Sequence, residues 1–480
     1  MALQPRSRIR ASGMGRPLSP PVAIIAGSLL LGFLSLLLPS APTYDAVAWL
    51  IWGREIAHLD LSTVHGPSWK PLPVIVTTIT APLGEASVYI WVAVARAGAI
   101  GAIVLSGVLA ARLANRTAGV VAAVALAAMP WWLRNGAIGN SEGVMVALVL
   151  GAALSHLQGR KGWAFTLAIG AGLLRPEAWP FLGLYALVLV WEERARLKWI
   201  AGGLAALPVL WLAPEYWGSG NAFRASERAQ HPRANSPAFA DHPALEVIKG
   251  AVNLAPVAAV IFAVVAFALA GVVVARRGAG DAAPLPDRRS AIAALVLGVI
   301  AAAWIGLVAV MTARGFSGNP RYLMVPAALL IVLGAVGAAW AIDAVAPWPA
   351  PSAAIVSAVV LAALFVAPDI GQIRPTLRQV EYQADLYHDL GRLIDDAGGP
   401  AYLRSCGHAS TGSFLVPQVA WRLRVHSGEV GLDSRGEPGV IFHVRTTPRG
   451  TITPPYPKAR PNVLGRRGHW TLTADCDARG

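Results

Sequence analysis

The feature that most constrains this chain is a series of long apolar runs with few charged residues. Residues 21–38, 88–110 and 291–311 are examples, and each has about 18 residues or more. A helix of that length, at about 1.5 Å per residue, crosses a hydrocarbon layer roughly 30 Å thick. Backbone amides in lipid must be paired internally, and these runs lack the alternation of strands. They are therefore predicted to be membrane-spanning helices, not strands of a barrel.

The composition agrees with this prediction. Hydrophobic residues make up 55% of the 480 positions and charged residues only 14%, whereas a soluble protein has roughly a quarter charged residues. The formal net charge of +14 would suit a nucleic-acid partner. However, much of the Arg and Lys flanks the apolar runs, where the preference for positive charge on the cytoplasmic side explains it. We therefore expect membrane lipids, and no nucleic acid, as partners.

The apolar runs predict an all-α polytopic bundle of about eleven spans. Residues 1–20 are basic and are predicted to be a cytoplasmic segment before an uncleaved first span. A cleavable signal peptide is the alternative, but the first run is long for one and many further spans follow. The predicted spans are residues 21–39, 87–111, 117–133, 142–157, 163–175, 178–191, 199–213, 251–275, 290–311, 323–342 and 353–368.

The loops give this topology a direction. Counted from a cytoplasmic N-terminus, the basic loops fall inside, and the outward loops are longer and mixed in charge. An odd number of spans then places the C-terminus outside. The frequent Ala, Arg and Gly residues suggest a bacterial source, so the predicted location is a bacterial plasma membrane. The residues predicted to lie inside are Arg112, Arg116, Arg160, Lys161, Arg194, Arg196, Lys198, Arg276, Arg277, Arg288 and Arg289.

Residues 369–480 are predicted to form a small α/β domain outside the membrane. Residues 377–394 have a helical pattern, and short strand-like segments such as residues 439–444 follow. The two cysteines, Cys406 and Cys476, end the segments AYLRSC and HWTLTADC, which both resemble strands. A cysteine pair confined to one outward domain favours a disulfide, and two unpaired thiols are the alternative.

Four outward places concentrate ionisable residues, which are functional candidates near a membrane because burying them is costly. In the first loop, residues 40–86, Asp45 precedes a predicted amphipathic helix whose tryptophans suit the membrane interface. Asp45 could act as a general base towards a hydroxyl group, and the alternatives are a helix cap or a surface charge. The other three places carry Arg134, Asn140 and Glu142, then Arg175 and Glu177, and then Arg314 and Arg321.

The arginines suit a phosphate ligand, because a guanidinium makes two parallel hydrogen bonds to phosphate oxygens. The alternatives are an anchor at the membrane surface and, for Arg175, an internal ion pair with Glu177. Arg96 lies well inside the second predicted span, so it must face protein or water. The sequence has no glycine-rich nucleotide loop and no clustered Cys and His, which argues against a cytoplasmic nucleotide site.

Taken in order, these loops resemble those of the GT-C glycosyltransferases. These multispan enzymes transfer a sugar from a polyprenyl-phosphate carrier on the outer face of a membrane. They include the protein O-mannosyltransferases, the lipid A aminoarabinose transferases and RgtA-like bacterial transferases. The resemblance covers the membrane-spanning part of the chain. Its motifs are Asp45 in TYDAVAWLIWGREI, Lys70 in SWKPLP, Glu142 in GNSEGVMVALV, Arg175 and Glu177 in LLRPEAWPF, and Arg321 at the start of a late span.

The resemblance implies a GT-C-like bundle at residues 21–368. Its donor would be a polyprenyl-phosphate-linked sugar, and its acceptor an extracytoplasmic glycan, lipid or protein of the cell envelope. Asp45 and Glu142 would be catalytic. The first loop has one acidic residue at the hallmark position instead of a pair, so a divalent metal is possible but not indicated, and no other cofactor is expected. The implied binding residues are Lys70, Arg96, Arg175, Arg314 and Arg321 for the donor phosphate, and Tyr44, Asn140 and Glu177 for the substrate.

Two other functions remain open for such a bundle. A transporter or lipid flippase would need broken helices in repeated halves, and the sequence shows no internal repeat. A non-catalytic GT-C-like scaffold of envelope assembly would keep the fold, but the presence of Asp45, Lys70 and Arg175 favours an enzyme. The outward loop at residues 214–250 is too irregular to interpret, and its length suggests function or mobility.

Overall fold

The computed structural model describes residues 20–276, 286–345, 351–432, 439–456 and 462–476. The predicted basic segment, residues 1–20, lies outside these ranges apart from its last residue, and so does Arg277. The helices are α1 (Pro20–Leu34), α2 (Tyr44–Ala57), α3 (Pro71–Thr80), α4 (Glu85–Leu113), α5 (Arg116–Ala128), α6 (Pro130–Ala137), α7 (Glu142–Leu157), α8 (Lys161–Gly172), α9 (Trp179–Glu192), α10 (Leu197–Ser219), α11 (Arg224–Ala229), α12 (Pro243–Asn253), α13 (Val257–Ala275), α14 (Arg288–Ala313), α15 (Met324–Val345), α16 (Pro351–Val366), α17 (Ile370–Asp396), α18 (Gly399–Ser405) and α19 (Val416–Leu423). The strands are β1 (His408–Thr411), β2 (Val430–Gly431), β3 (Gly439–Arg445), β4 (Ile452–Thr453), β5 (Asn462–Arg467) and β6 (Trp470–Asp475).

Each predicted span coincides with a helix of the structure. In chain order these helices are α1, α4, α5, α7 to α10 and α13 to α16. By length and composition alone, five helices of the described residues could cross a membrane, or up to seven if each of two bent pairs is one span. The bent pairs are α5 with α6, at 63°, and α16 with α17, at 60°. Helices α1, α3 and α7 are apolar but shorter. The chain is a helical, multi-pass membrane protein with a small sheet near its C-terminus.

The bend between α5 and α6 follows from Pro130. Met129 has an extended backbone, with φ −67° and ψ 123°, because the ring of a following proline disfavours the helical region. Pro130 then starts α6, where its missing N–H costs nothing. The prediction of one span over residues 117–133 was therefore wrong at its end, and the turn places Arg134 and Asn135 on the cavity described below.

Helix α15 is the centre of the bundle, and its residues from Met324 to Trp340 are almost all buried. It packs closely against α13, because Gly334 and Gly337 present no side chain there. A Cβ atom at Gly337 would collide with the carbonyl oxygen of Phe262. Small residues at a helix contact allow this approach of two backbones inside a membrane. The packing sets the position of the residues that precede α15.

Helix α2 forms where it was predicted, but the prediction of an amphipathic helix at the membrane surface was wrong. Every residue from Ala46 to Gly53 is buried. One side of α2 packs against α3, and another packs against α19 of the C-terminal domain. Trp52 donates a hydrogen bond to the carbonyl of Ser62 at 3.0 Å, and its ring lies 5.4 Å from that of Trp69. The tryptophans thus fill a protein core.

The C-terminal domain contains α17 to α19 and a six-stranded sheet. The strand order is β2-β1-β3-β6-β5, and β4 pairs with β3. Strand β1 runs parallel to β2 and β3, and the other pairs are antiparallel. Helix α19 connects β1 to β2, because parallel neighbours need a crossover. The predicted helix at residues 377–394 lies within α17, and the predicted strand at residues 439–444 lies within β3.

Cys406 and Cys476 form the predicted disulfide. The prediction of a strand before the first cysteine was wrong, since AYLRSC lies in helix α18. Only the second cysteine follows a strand, β6. The bond therefore joins the residue after a short helix to the residue after strand β6.

A polar contact around His426 holds the C-terminal domain on α2. Its Nδ1 lies 2.7 Å from Oε1 of Glu55, and its Nε2 lies 3.2 Å from Oδ2 of Asp60. Arg54 donates a hydrogen bond to the carbonyl of Val425 at 2.7 Å. Burial alone would lower the pKa of His426, but the hydrogen bond to Glu55 and the charges of Glu55, Asp60 and Glu429 raise it.

We predict that this contact weakens at alkaline pH. Because the pKa is raised by folding, protonated His426 stabilises the domain contact fully below its ordinary pKa of 6.5. That contribution is lost as the pH rises through the higher folded-state pKa. Thermal unfolding of the full chain in detergent should give a lower Tm at about pH 8 than at about pH 6. His426→Gln should remove most of this difference, and an unchanged difference would contradict the assignment.

Candidate functional site

A cavity of about 840 Å³ lies between one end of the helical bundle and the C-terminal domain. The bundle contributes the start of α2, helix α6 and the turn before α15. The C-terminal domain contributes α17, α19 and Trp470. A third side is formed by residues 228–237, which we call the strap. The acidic and basic side chains that line the cavity are Asp45, Arg134, Arg228, His231, Arg233 and Arg321.

Asp45 and Arg321 form an ion pair on the wall of this cavity. Oδ2 of Asp45 lies 2.9 Å from Nη2 of Arg321, and their side chains are 16% and 26% exposed. Asp45 is in the first turn of α2. Arg321 is in a short 3-10 turn before α15, where the Asn319 side chain accepts a hydrogen bond from its backbone N–H at 3.0 Å. The predicted base and a predicted phosphate ligand therefore lie side by side.

The cavity has an excess of positive charge. Among the described residues that line it, Asp45 carries the only carboxylate, whereas Arg134, Arg228, Arg233 and Arg321 are all cationic. Nε of Arg134 is buried and has no hydrogen-bond partner in the described part of the chain. A concave site with low-dielectric walls and one sign of charge attracts the opposite ion. The cavity is suited to an anion such as a phosphate group.

A buried network of ion pairs lies behind this wall and is centred on Glu142, which is 1% exposed. Oε1 of Glu142 accepts a hydrogen bond from Nη2 of Arg175 at 2.6 Å and lies 3.7 Å from Nζ of Lys70. Nη1 of Arg175 donates to Oε1 of Glu177 at 3.4 Å. The structure thus brings these four predicted site residues together, but they do not line the cavity.

Tyr322 connects the buried network to the cavity. Its ring lines the cavity, and the guanidinium carbon of Arg175 lies 4.4 Å from the ring centre. This is the geometry of a cation–π contact. The carbonyl of Tyr322 accepts a hydrogen bond from Nε1 of Trp304 at 2.9 Å. The position of Tyr322 in the cavity wall therefore depends on Arg175 and on the buried ion pairs that hold Arg175 in place.

Tyr44 and Asn140, which were predicted to bind substrate, both line the cavity. Asn140 donates a hydrogen bond to Oδ1 of Asn135 at 2.7 Å. Its own Oδ1 is buried and unpaired within the described residues. As to a metal, no three His, Cys, Asp or Glu side chains in the described ranges come together in a way that could hold an ion.

Arg96 and Arg314 were predicted as phosphate ligands, but the structure does not bring them to the cavity. Arg96 donates hydrogen bonds to the backbone carbonyls of Ser35, Pro39 and Ala137. The end of a helix leaves carbonyls without intrahelical partners, and Arg96 supplies donors to those that follow α1. Arg314 is exposed at the end of α14 and does not line the cavity.

The strap contributes basic residues for which the sequence carries little signal, namely Arg228, His231 and Arg233. The guanidinium carbon of Arg233 lies 3.5 Å from the ring centre of Phe414 in the C-terminal domain. Burial raises the pKa of the Tyr44 hydroxyl, and the positive charge of Arg228 opposes that effect. The spacing of basic residues in SERAQHPRAN was the one available signal. It had no helical or strand period that would place these side chains on one face.

A buried ion pair organises the chain that leads to the strap. Glu215 near the end of α10 is fully buried, and its Oε2 lies 2.7 Å from Nε of Arg224. Arg224 also donates to the carbonyl of Pro67 at 2.9 Å. The loop at residues 214–250 is therefore built on helices α10 to α12 and is not irregular throughout.

A second cavity, of about 720 Å³, lies among α7, α9 and α14 and is lined mainly by apolar side chains. It extends along α14 from Arg288 to Trp304, which is about 24 Å of helix. Trp304, which lines this second cavity, donates a hydrogen bond to the carbonyl of Tyr322, which lines the first. The ring of Phe181 stacks on that of Trp304 at 5.2 Å.

By sequence, the chain matches no protein-family model and no curated protein. By structure, it is similar to ArnT from Cupriavidus metallidurans bound to undecaprenyl phosphate. The TM-score is 0.54 at 15% identity, over 95% of this chain and 98% of that one. The apo state of the same ArnT gives a TM-score of 0.52 at 16% identity, over 95% and 97%. The apo oligosaccharyltransferase of Archaeoglobus fulgidus gives 0.41 at 13% identity, over 77% and 57%, which is too low to support a conclusion. The likeness to ArnT shows a shared fold.

We predict that Glu142→Gln strongly destabilises the protein, because it leaves Arg175 and Lys70 buried near a neutral group. Removing one partner of a buried ion pair typically costs about 3–5 kcal/mol. Thermal unfolding of the purified full chain in detergent should therefore show a lower Tm. Glu246→Gln is a matched control, because Glu246 pairs with Lys249 at 2.8 Å on an exposed helix face. Exposed pairs contribute little, so equal losses in the two variants would contradict the central role of Glu142.

Proposed function

We propose that this chain, which has the GT-C fold, is a membrane glycosyltransferase. It would move a sugar from a polyprenyl-phosphate carrier to a hydroxyl group of an extracytoplasmic acceptor in a bacterial cell envelope. The observation that carries the proposal is the Asp45–Arg321 pair on the wall of a positively charged cavity at one end of a membrane-embedded bundle. A carboxylate is suited to accepting a proton, and arginines are suited to binding a phosphate.

The donor would occupy both cavities. Its phosphate would bind Arg321 and Arg134, whose Nε has no partner among the described residues. Its polyprenyl chain would lie in the apolar cavity along α14 and supply binding energy far from the reacting bond. One of the structures with the same fold, ArnT, was solved with undecaprenyl phosphate bound. That ligand has the same two parts, a phosphate and a long apolar chain.

The transfer would be a single displacement at the sugar carbon. Asp45 accepts the proton of the acceptor hydroxyl, and the oxygen attacks the anomeric carbon. The bond between that carbon and the phosphate oxygen breaks, the configuration inverts, and the polyprenyl phosphate leaves with the electron pair. Arg321 and Arg134 stabilise the charge that develops on the leaving phosphate. Tyr44 and Asn140 would position the reacting groups. Glu142, Lys70, Arg175 and Glu177 would act from behind the wall as positioning residues.

The ion pair at Asp45 gives the donor a further role. Before a donor is bound, Arg321 holds the Asp45 carboxylate in an ion pair, with Nη2 of Arg321 2.9 Å from Oδ2 of Asp45. A phosphate group would compete with Asp45 for the two-pronged guanidinium. We infer that donor binding releases Asp45 to accept a proton. The base would then become active only when the carrier is in place.

The predicted orientation is supported by the location of the basic loops, which lie at one end of the bundle while the cavity lies at the other. Arg289 and Arg112 both donate hydrogen bonds to the carbonyl of Leu157, at 2.9 Å and 3.3 Å. Leu157 ends α7, and Glu142 starts the same helix beside the cavity. The basic loops therefore gather at the opposite end from the site. Positive charge favours the cytoplasmic side, which would place the cavity and the C-terminal domain outside.

We predict that Asp45→Asn abolishes transfer. Loss of a general base typically slows a reaction about 10²- to 10⁴-fold. Membranes that contain equal amounts of the variant and the wild type would be supplied with a panel of polyprenyl-phosphate sugars, and products would be identified by mass spectrometry. Asp241→Asn, at an exposed position in the loop before α12, should keep full activity. Transfer at the normal rate by Asp45→Asn would refute the proposed role and favour a scaffold or transporter.

We predict that donor affinity falls at alkaline pH through Lys70. Burial lowers the pKa of Lys70 to about 8, although the charge of Glu142 opposes this effect. Lys70 is therefore positive below about pH 8 and becomes neutral above it, which makes the region behind the cavity less positive. The KM for the donor should rise several-fold between about pH 7 and pH 9. Lys70→Arg keeps its charge over this range and should show a flatter profile. Identical profiles would exclude Lys70 as the cause.

A further inference from the structure

One wall of the cavity carries hydrogen-bonding atoms without protein partners. The side chains are Gln383 and Tyr387 on α17 and Gln418 on α19. The side-chain carbonyl oxygens of both glutamines and the hydroxyl of Tyr387 are buried, and within the described residues they have no hydrogen-bond partner. Gln418 is 6% exposed and Tyr387 is 4% exposed. All three line the cavity that Asp45 and Arg321 line from the bundle.

Packing alone does not explain these three groups. A buried polar atom without a partner destabilises a folded protein, so most such atoms are paired. A leucine or a phenylalanine at the same positions would fill a similar volume without that cost. The three groups belong to side chains on two adjacent helices that line one cavity, so a ligand in that cavity is the candidate that would supply the missing partners.

The chemistry of the wall limits what that ligand can be. Every described residue of the C-terminal domain that lines the cavity is uncharged. The wall combines amides and hydroxyls with the aromatic rings of Phe414 and Trp470. Sugar hydroxyls donate hydrogen bonds to amide oxygens, and the apolar face of a sugar ring packs against aromatic side chains. The charged side chains lie on the bundle and the strap, so a phosphate and a neutral sugar would contact different walls.

We propose that α17 and α19 form a carbohydrate-binding wall, in which Gln383, Tyr387 and Gln418 bind sugar hydroxyls. The sugar is either the one that is transferred or part of a glycan acceptor, since both carry the same chemistry. The reaction of this sugar at Asp45 rests on the proposed function. Its binding to the wall does not, because the wall needs no chemical step.

The test uses two variants that remove hydrogen-bonding atoms with little change in volume, Gln418→Leu and Tyr387→Phe. Gln372→Leu is the control, because Gln372 lies on the same helix α17 but is exposed and does not line the cavity. The KM for the donor and the KM for the acceptor are measured separately on the full chain, together with Tm. Each wall variant should raise one of the two KM values about three- to tenfold. Tm should stay equal or rise, because an unpaired buried group has been removed.

The KM that changes identifies the source of the sugar. A change in the donor KM assigns the wall to the transferred sugar, and a change in the acceptor KM assigns it to the acceptor. If Tm rises and both KM values stay at the wild-type level, the groups are only poorly satisfied core atoms, and the proposal is wrong.

A binding experiment separates this proposal from the proposed function. The intrinsic tryptophan fluorescence of the full chain in detergent, to which Trp470 in the cavity contributes, is titrated with free glucose, galactose, mannose and N-acetylglucosamine. Saturable binding that survives Asp45→Asn but weakens in Gln418→Leu supports the wall even if no donor is ever transferred. If no sugar binds saturably, or if Gln418→Leu binds as wild type does, the wall is not a carbohydrate site.

Discussion

The buried carboxylate of Glu142 determines how the rest of the site is arranged. It starts α7, holds Arg175 from the loop after α8 at 2.6 Å, and lies 3.7 Å from Lys70, which precedes α3. Arg175 in turn packs on Tyr322 before α15. One anion therefore joins four separate parts of the bundle. These parts cannot move apart without breaking ion pairs in a low-dielectric interior, which favours one arrangement of this end of the bundle.

The network also explains why the site has two layers. Glu142 is nearly inaccessible, and both of its cationic partners are already satisfied by it, so it is suited to holding other groups in place. Asp45 and Arg321 form a single pair that is partly exposed on the cavity wall. Because this pair is partly exposed to the cavity, a ligand in the cavity can reach Arg321 in place of Asp45. The partly exposed pair on the cavity wall thus lies in front of a buried network of ion pairs.

The sequence predicted those parts that have a local signal. Apolar runs located the helices, and charged residues near their ends made Asp45, Glu142, Arg175 and Arg321 candidates, because burying charge is costly wherever it occurs. Lys70 became a candidate only through the family resemblance. The failures concern contacts between distant segments. The tryptophans of α2 resembled an interfacial face because nothing local reveals that α19 covers them. Arg96 resembled a ligand because its acceptors are backbone carbonyls, which are the same in every sequence. The glutamines on α17 and α19 are ordinary in a polar domain, and only the cavity makes them unusual.

The cavity takes one wall from residues after Ile370, although its Asp45–Arg321 ion pair is supplied by the bundle. Chain order then has a consequence for synthesis. A ribosome that has released the whole bundle into the membrane has made every ion pair of the site, but it has not yet made the wall that closes it. In the proposed orientation the last segment must also cross the membrane before it can fold over that end. In arrested or truncated chains that lack this wall, the charged cavity would stay open to solvent. In that orientation the cavity would be closed only after the residues that follow Ile370 have been exported.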